Sequence, residues 1–201
     1  MNTFDFIEVY KFPPHLCDNF IEYHKNNTEY KQKGKVGNGN IRKDIKQSTD
    51  VIFFNPVNVK FIKDFFDLLT KALIHYTDKY KVSVNLKTQD HHFIQHYKKK
   101  EGFYQTHYER MSRGAAPRDI VYMLYCNDVK EGGTNFPFQN KKLDCIKGDL
   151  VLWPAHFTHP HYGVISKENE KYIVTGWLEI ICIYLITIGI FNLSYHHEFV
   201  T

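Results

Sequence analysis

From Val82 onward the sequence changes period. Apolar residues recur at alternate positions in short runs, with turn-forming residues between them. The candidate strands are Val82–Leu86, His92–Tyr97, Phe103–Glu109, Asp119–Cys126, Lys142–Ile146, Asp149–Trp153, His159–Val164 and Lys171–Leu178. A strand sends successive side chains to opposite faces, so this pattern suits sheets and not amphipathic helices. Many short strands with glycine-bearing turns predict a jelly roll or barrel. The N-terminal part has the other period. Pro13-Pro14 opens a helix with Leu16, Phe20 and Ile21 on one face. Asn55-Pro56 has the pattern of an N-cap followed by a first-turn proline. Phe61, Phe65, Leu68, Leu69, Ala72, Leu73 and Tyr76 follow at helical spacing, which predicts the main helix over residues 56–80. Phe4–Phe12 and Asp50–Phe54 read as strands, and Asn26–Asn40 as a loop. The expected architecture is mainly β, with N-terminal helices packed on one face.

Composition narrows the function. A chain of 201 residues can bury a full core without disulfides or metal staples. The net charge is only +4 and the charges are interspersed, so no nucleic-acid partner is expected. Cys17, Cys126, Cys145 and Cys182 are far apart and form no CxxC, which reads as buried thiols in a reducing, cytoplasmic compartment (host cytoplasm if the source is viral). MNTFDFIEVYKF lacks the basic and apolar regions of a signal peptide. The apolar run Ile180–Phe191 is shorter than the roughly 18–20 residues that span a bilayer, so it reads as a buried strand or core segment and no membrane partner is expected. The tail NLSYHHEFVT after it is polar. The 12 histidines exceed what packing a β-rich chain needs, so some are candidate ligands.

Three elements carry that idea. His107 and Glu109, in HYE, point to the same face of a strand, and an imidazole beside a carboxylate is two-thirds of the facial triad of a non-haem Fe(II) site. WPAHFTHPHYG follows a buried-strand run, LVLW, and offers His156, His159 and His161. His159 and His161 share a face if the strand is regular, although Pro160 permits a bend. Lys171 enters the apolar run YIVTGWL, where an unpaired ammonium is costly and an anionic ligand would supply a partner.

In order, QHYKKKEGFYQTHYE, RDIVYMLYCNDVKEGGTNFP, KGDLVLWPAHFTHPHYG and KYIVTGWL resemble the iron(II)- and 2-oxoglutarate-dependent oxygenases. The resemblance is to the prolyl 4-hydroxylase-like branch, in its short phage and microbial form. It covers about residues 90–180, and FDFIEVYKFPPHLCDNFIEY looks like that branch's opening strand and helix. It implies a double-stranded β-helix (jelly roll, cupin-like) in a single domain over residues 1–201. Residues 1–80 would be helical support, 81–180 the catalytic core and 181–201 an apolar C-terminal extension.

It also implies iron ligation by His107, Glu109 and His161, with His159 as the alternative distal ligand. His161 is favoured because the family's basic co-substrate residue stands about ten positions later, where Lys171 is found. Lys171 would pair with the distal carboxylate of 2-oxoglutarate, Tyr125 would support that carboxylate, and Tyr97 would hydrogen-bond the co-substrate. Most of the family has Asp where this chain has Glu109. The implied cofactors are Fe(II), 2-oxoglutarate as co-substrate and O2, with ascorbate as an optional reductant. The implied reaction hydroxylates a C–H bond of a substrate, a prolyl or other peptide side chain or a small molecule, and releases succinate and CO2. The metal does the chemistry, so no separate acid or base is assigned. Lys98–Lys100 and the Arg113–Arg118 loop would border the mouth and could rim an acidic or peptide substrate. The rival reading is a non-catalytic, cupin-like metal-binding module closed by His107, Glu109, His159 and His161. Lys171 discriminates, since a pure metal module has no use for it.

Overall fold

The structure is a computed structural model that describes residues 4–37, 39–54 and 58–181. Two helices pack on one face of a large sheet, and a small sheet faces its other side. The first helix, α1 (Pro14–Asn26), starts with a proline whose missing N–H would be unpaired there anyway. It buries Leu16, Cys17, Phe20 and His24, which recur at helical spacing along one stripe. The second, α2 (Lys60–Tyr80), buries Ile62, Phe65, Phe66, Leu69, Ala72 and Tyr76 and ends at Lys81 in a left-handed conformation. It begins after an extended Val59 and not at residue 56; the expected cap, Asn55-Pro56, lies outside the described residues.

The strands are β1 (Glu8–Lys11), β2 (Lys31–Lys33), β3 (Thr49–Phe54), β4 (Leu86–Thr88), β5 (His91–Tyr97), β6 (Arg118–Tyr125), β7 (Val129–Phe136), β8 (Lys141–Cys145), β9 (Asp149–Pro154), β10 (Tyr162–Gly163) and β11 (Lys171–Ile180). The large sheet runs β1-β9-β6-β11-β5-β3-β2, with β4 on the far end of β11; the small sheet runs β10-β7-β8. All these pairings are antiparallel. The pair of facing sheets is the expected jelly roll. Three of the large sheet's strands come from residues 1–80, so that part supplies sheet as well as helices.

Period-two alternation sorts the core into two layers. Ile120, Tyr122 and Leu124 of β6, with Leu150, Leu152, Tyr172 and Val174, pack under the helices. Val121, Met123 and Tyr125, with Val151, Trp153 and Ile173, face Val129, Phe136 and Cys145 of the small sheet. The central strands β6, β9 and β11 are therefore apolar on both faces, as strands covered on both sides must be. The sequence expectation fails in several places. The stretch read as a loop over 26–40 contains β2, and β7, with its glycine pair, is not among the expected strands. Residues 103–109 form no strand; Phe103 and His107 make isolated bridges to Lys46 and His161. Of 159–164, only Tyr162–Gly163 is strand, because residues 156–159 turn. The strand expected over 82–86 is the shorter and later β4. Ile180 closes β11, Ile181 donates to the Asn85 carbonyl (2.9 Å), and the rest of the apolar run lies outside the described residues. Among the described residues no helix is long and apolar enough to cross a membrane.

Candidate active site

His107 and His161 are joined through their backbones. The His107 N–H donates to the His161 carbonyl (3.0 Å) and the His161 N–H to the His107 carbonyl (2.8 Å). This bridge ties the segment before β6 to the segment before β10. The Glu109 N–H donates to the Ala155 carbonyl at 3.1 Å, fixing the carboxylate's backbone to the end of β9. Three side chains from two distant segments thereby converge: the Glu109 Oε1 lies 3.5 Å from His107 Nε2 and 3.4 Å from His161 Nε2.

The ring tautomers follow from their partners. His107 Nδ1 lies 3.0 Å from the Gln105 carbonyl and His161 Nδ1 3.0 Å from the His159 carbonyl. A carbonyl only accepts, so each ring carries a proton on Nδ1 and leaves Nε2 facing Glu109, the atom free to ligate a metal. Phe103 stacks on the His107 ring (centroids 3.7 Å, planes 16° apart), and Phe136 and Trp153 enclose His161. Burial opposes the charge on Glu109, but the two imidazoles facing it outweigh that and hold the carboxyl well below the usual carboxylate range. Two imidazole lone pairs and one carboxylate oxygen within 4.8 Å of one another form the one such cluster among the described residues that could hold a metal. Donors around an octahedral ion at about 2.1 Å stand roughly 3 Å apart, so the group fits an Fe(II) ion with little movement. The longer Glu109 reaches both rings from its own backbone position.

The triad opens into a cavity of about 1010 Å³ between the sheets. Its floor is the inward face of four neighbouring strands: Ile52 of β3, Phe93, Gln95 and Tyr97 of β5, Met123 and Tyr125 of β6, and Ile173, Thr175 and Trp177 of β11. Lys171 also lines it. Its Nζ donates to the carbonyls of Gly132 (2.8 Å) and Val164 (3.2 Å) and meets no carboxylate among the described residues. Burial pushes this ammonium down to about 8. Tyr125 hydrogen-bonds Thr134 (2.6 Å), and the Tyr97 hydroxyl donates to Gln95 (2.6 Å).

The expected site residues thus share one cavity, except His159. Its Nε2 donates to the Asp5 carbonyl (2.9 Å) and its ring lies against Phe6, away from the triad. The turn at 156–159 breaks the alternation on which a shared face depended, so the four-ligand closed set does not assemble. Lys98–Lys100 do not line the cavity either. Sequence reasoning missed Thr134 and Gln95, and also the ion pair Lys46–Asp50 (3.0 Å), buried in the cavity wall. It placed Arg118 only in a rim loop. Arg118 stacks on Trp177 (3.6 Å), and its Nη1 approaches the free Glu109 oxygen (3.6 Å). Thr134, Gln95 and Arg118 each stand inside a block that carries the family resemblance, whereas Lys46 and Asp50 lie outside those blocks.

Residues 92–179, from β5 to β11, match the family model of the 2OG-Fe(II) oxygenase superfamily. This segment is a 2OG-Fe(II) oxygenase domain. The chain is accordingly a 2-oxoglutarate-dependent dioxygenase, with Fe(II), 2-oxoglutarate and O2 as its cofactors. No curated protein sequence matches the chain. Three solved structures share the fold of this oxygenase. The viral collagen prolyl hydroxylase of Paramecium Bursaria Chlorella virus-1, in its 2OG complex, is 19% identical with a TM-score of 0.66, over 88% of this chain and 97% of that one. A Pseudomonas putida prolyl-4-hydroxylase is 13% identical (TM-score 0.67; 88% and 93% covered). A Trichoplax adhaerens prolyl hydroxylase, in complex with a hypoxia inducible factor peptide fragment, is 16% identical (TM-score 0.69; 87% and 83% covered).

Proposed function

We propose that this oxygenase hydroxylates a C–H bond of a peptide side chain, prolyl in the first instance. His107, Glu109 and His161 would hold Fe(II), and Lys171, assisted by Tyr125 and Thr134, would bind the distal carboxylate of 2-oxoglutarate. The observation that carries this reading is Lys171: a buried cation without an acid partner among the described residues, in the same cavity as the histidine–carboxylate cluster. A dianionic co-substrate offsets the cost of burying that charge.

The bound metal, with 2-oxoglutarate and O2, supplies the oxidising chemistry that releases succinate and CO2. The chain's own residues bind and orient. The Nδ1 protons of His107 and His161 stay on backbone carbonyls, so both Nε2 atoms face the metal position. Lys171, buried in the cavity wall, anchors the co-substrate. Met123, Ile173 and Trp153 give the cavity an apolar wall. The peptide reading is supported by two proteins of similar structure, a collagen prolyl hydroxylase and a prolyl hydroxylase in complex with a peptide fragment.

The test is succinate release over a panel of prolyl peptides, with and without Fe(II). Wild-type protein is expected to form succinate together with hydroxylated peptide. His107→Ala and His161→Ala abolish both, whereas His159→Ala retains turnover. Lys171→Ala raises the KM for 2-oxoglutarate by about a hundredfold, the loss of a charge-assisted pair of about 3 kcal/mol. Failure of iron-loaded protein to bind 2-oxoglutarate overturns the assignment.

A further inference from the structure

We propose that the cavity mouth is a clamp for an acidic polypeptide segment, with Lys33 and Lys35 on one flank and Arg113 on the other. The inference rests on the peptide-hydroxylase reading and names the chemistry of the peptide. Strand order sets the flanks. The floor is β6, β11, β5 and β3, and β2 lies beyond β3 at the sheet edge. β2 and the residues after it bring Lys33, Lys35 and Val36 to the cavity on that side. The segment leading into β6 brings Met111 and Arg113 on the other. Lys33, Lys35 and Arg113 are exposed, and none has an ion-pair partner among the described residues.

The cavity's own acids are already engaged. Asp50 pairs with Lys46 and also accepts from Ser48 (2.7 Å), and Glu109 belongs to the histidine cluster. The mouth therefore carries uncompensated positive charge, which attracts a carboxylate-bearing ligand and disfavours a basic one. Between the flanks the surface is apolar: Ile52, Phe54, Phe93 and Trp177 line it. A polypeptide with acidic residues flanking apolar ones fits both features. A nucleic-acid strand would need a longer cationic track and a stacking platform, and the whole chain carries only +4.

The experiment uses the full chain with Fe(II) and 2-oxoglutarate. Single-proline peptides of one length are compared with Asp/Glu, Ser/Gln or Lys flanks. Hydroxylation is read by mass, and binding by anisotropy of labelled peptide. The acidic series is expected to show a KM and a Kd about tenfold below the neutral series, the scale of a few exposed ion pairs together. The gap narrows as salt is raised. The triple variant Lys33→Glu, Lys35→Glu, Arg113→Glu inverts the preference with an unchanged Tm. Lys98→Glu with Lys99→Glu, on the turn outside the cavity, keeps it. Equal KM and Kd across the three series overturns the clamp and leaves the hydroxylase reading standing. Selective binding of acidic peptides without hydroxylation keeps the clamp and overturns the peptide as substrate. Stronger competition by single-stranded oligothymidine than by acidic peptide also overturns the clamp.

Discussion

At the residue scale, the site's chemistry depends on side chains that touch no reactant. Phe103 covers the face of His107, and its backbone is held by a short ladder: the Gln47 N–H donates to the Gly102 carbonyl (2.9 Å) and the Tyr104 N–H to the Ile45 carbonyl (2.7 Å). The Lys46–Asp50 pair pins that ladder to β3. An aromatic stack is worth about 0.5–1.5 kcal/mol, which becomes metal affinity if it fixes the ligand's orientation. Phe103→Ala is expected to weaken Mn(II) or Co(II) binding up to about tenfold by calorimetry, and Phe103→Tyr to restore it. Lys171 gives a pH prediction. Its folded value, about 8, lies below that of an exposed lysine. The unfolded chain therefore binds more protons between these values, and the penalty for burying the cation fades as pH rises through about 8. Binding of 2-oxoglutarate needs the protonated form. Its KM is expected to climb above pH 8 by up to about tenfold per unit, and Lys171→Arg to flatten that rise.

At the element scale, the glycine pair of EGGTNF shows how a strand serves the site. β7 changes register between Val129 and Thr134, which lets the Gly132 carbonyl meet Lys171 and Thr134 meet Tyr125. A Cβ on Gly133 would overlap the Leu143 backbone oxygen, so only glycine lets β8 approach. Gly133→Ala is expected to cost about 1–3 kcal/mol and lower Tm by several degrees in differential scanning calorimetry. Gly114→Ala, with nothing within 4 Å, should leave Tm unchanged. The elements were legible where pairing is continuous. β5, β6, β8, β9 and β11 lie where their apolar or alternating runs placed them, and α2 shows its stripe, because burial of a face leaves its period in the sequence. The ligand-bearing segments keep no such record. HYE stands in isolated bridges, and His159 sits in a turn, so the same-face rule had no strand to act on there. The roles of Asp50 and Gln95 were hidden for another reason: the β3–β5 pairing, between segments about forty residues apart, sets them side by side in the cavity, and Lys46 joins them through its ion pair with Asp50.

At the scale of the whole molecule, the metal position lies where separate parts of the chain are joined. His107 and Glu109 hang from the segment between β5 and β6, held to the end of β9 through Ala155. His161 precedes β10 of the small sheet, and Lys171 opens β11 of the large one. Lys171 also reaches the backbone of β7 through Gly132, so the co-substrate position touches both sheets. Metal and 2-oxoglutarate bound here would tie the sheets together, and such ligands stabilise only the folded chain. At a hundredfold excess over Kd a ligand adds about 2.7 kcal/mol, which for a chain of this size raises Tm by roughly 5–10 °C. Mn(II), which occupies Fe(II) sites without turnover, should produce this shift in anaerobic scanning calorimetry, and 2-oxoglutarate should add to it only once metal is present. His161→Ala is expected to remove both increments, because it takes away the ligand from the small-sheet side. Lys171→Ala should keep the metal increment and lose the second. If 2-oxoglutarate raised Tm equally in the His161→Ala protein, its binding would be independent of the metal position, and the joint site described here would be wrong.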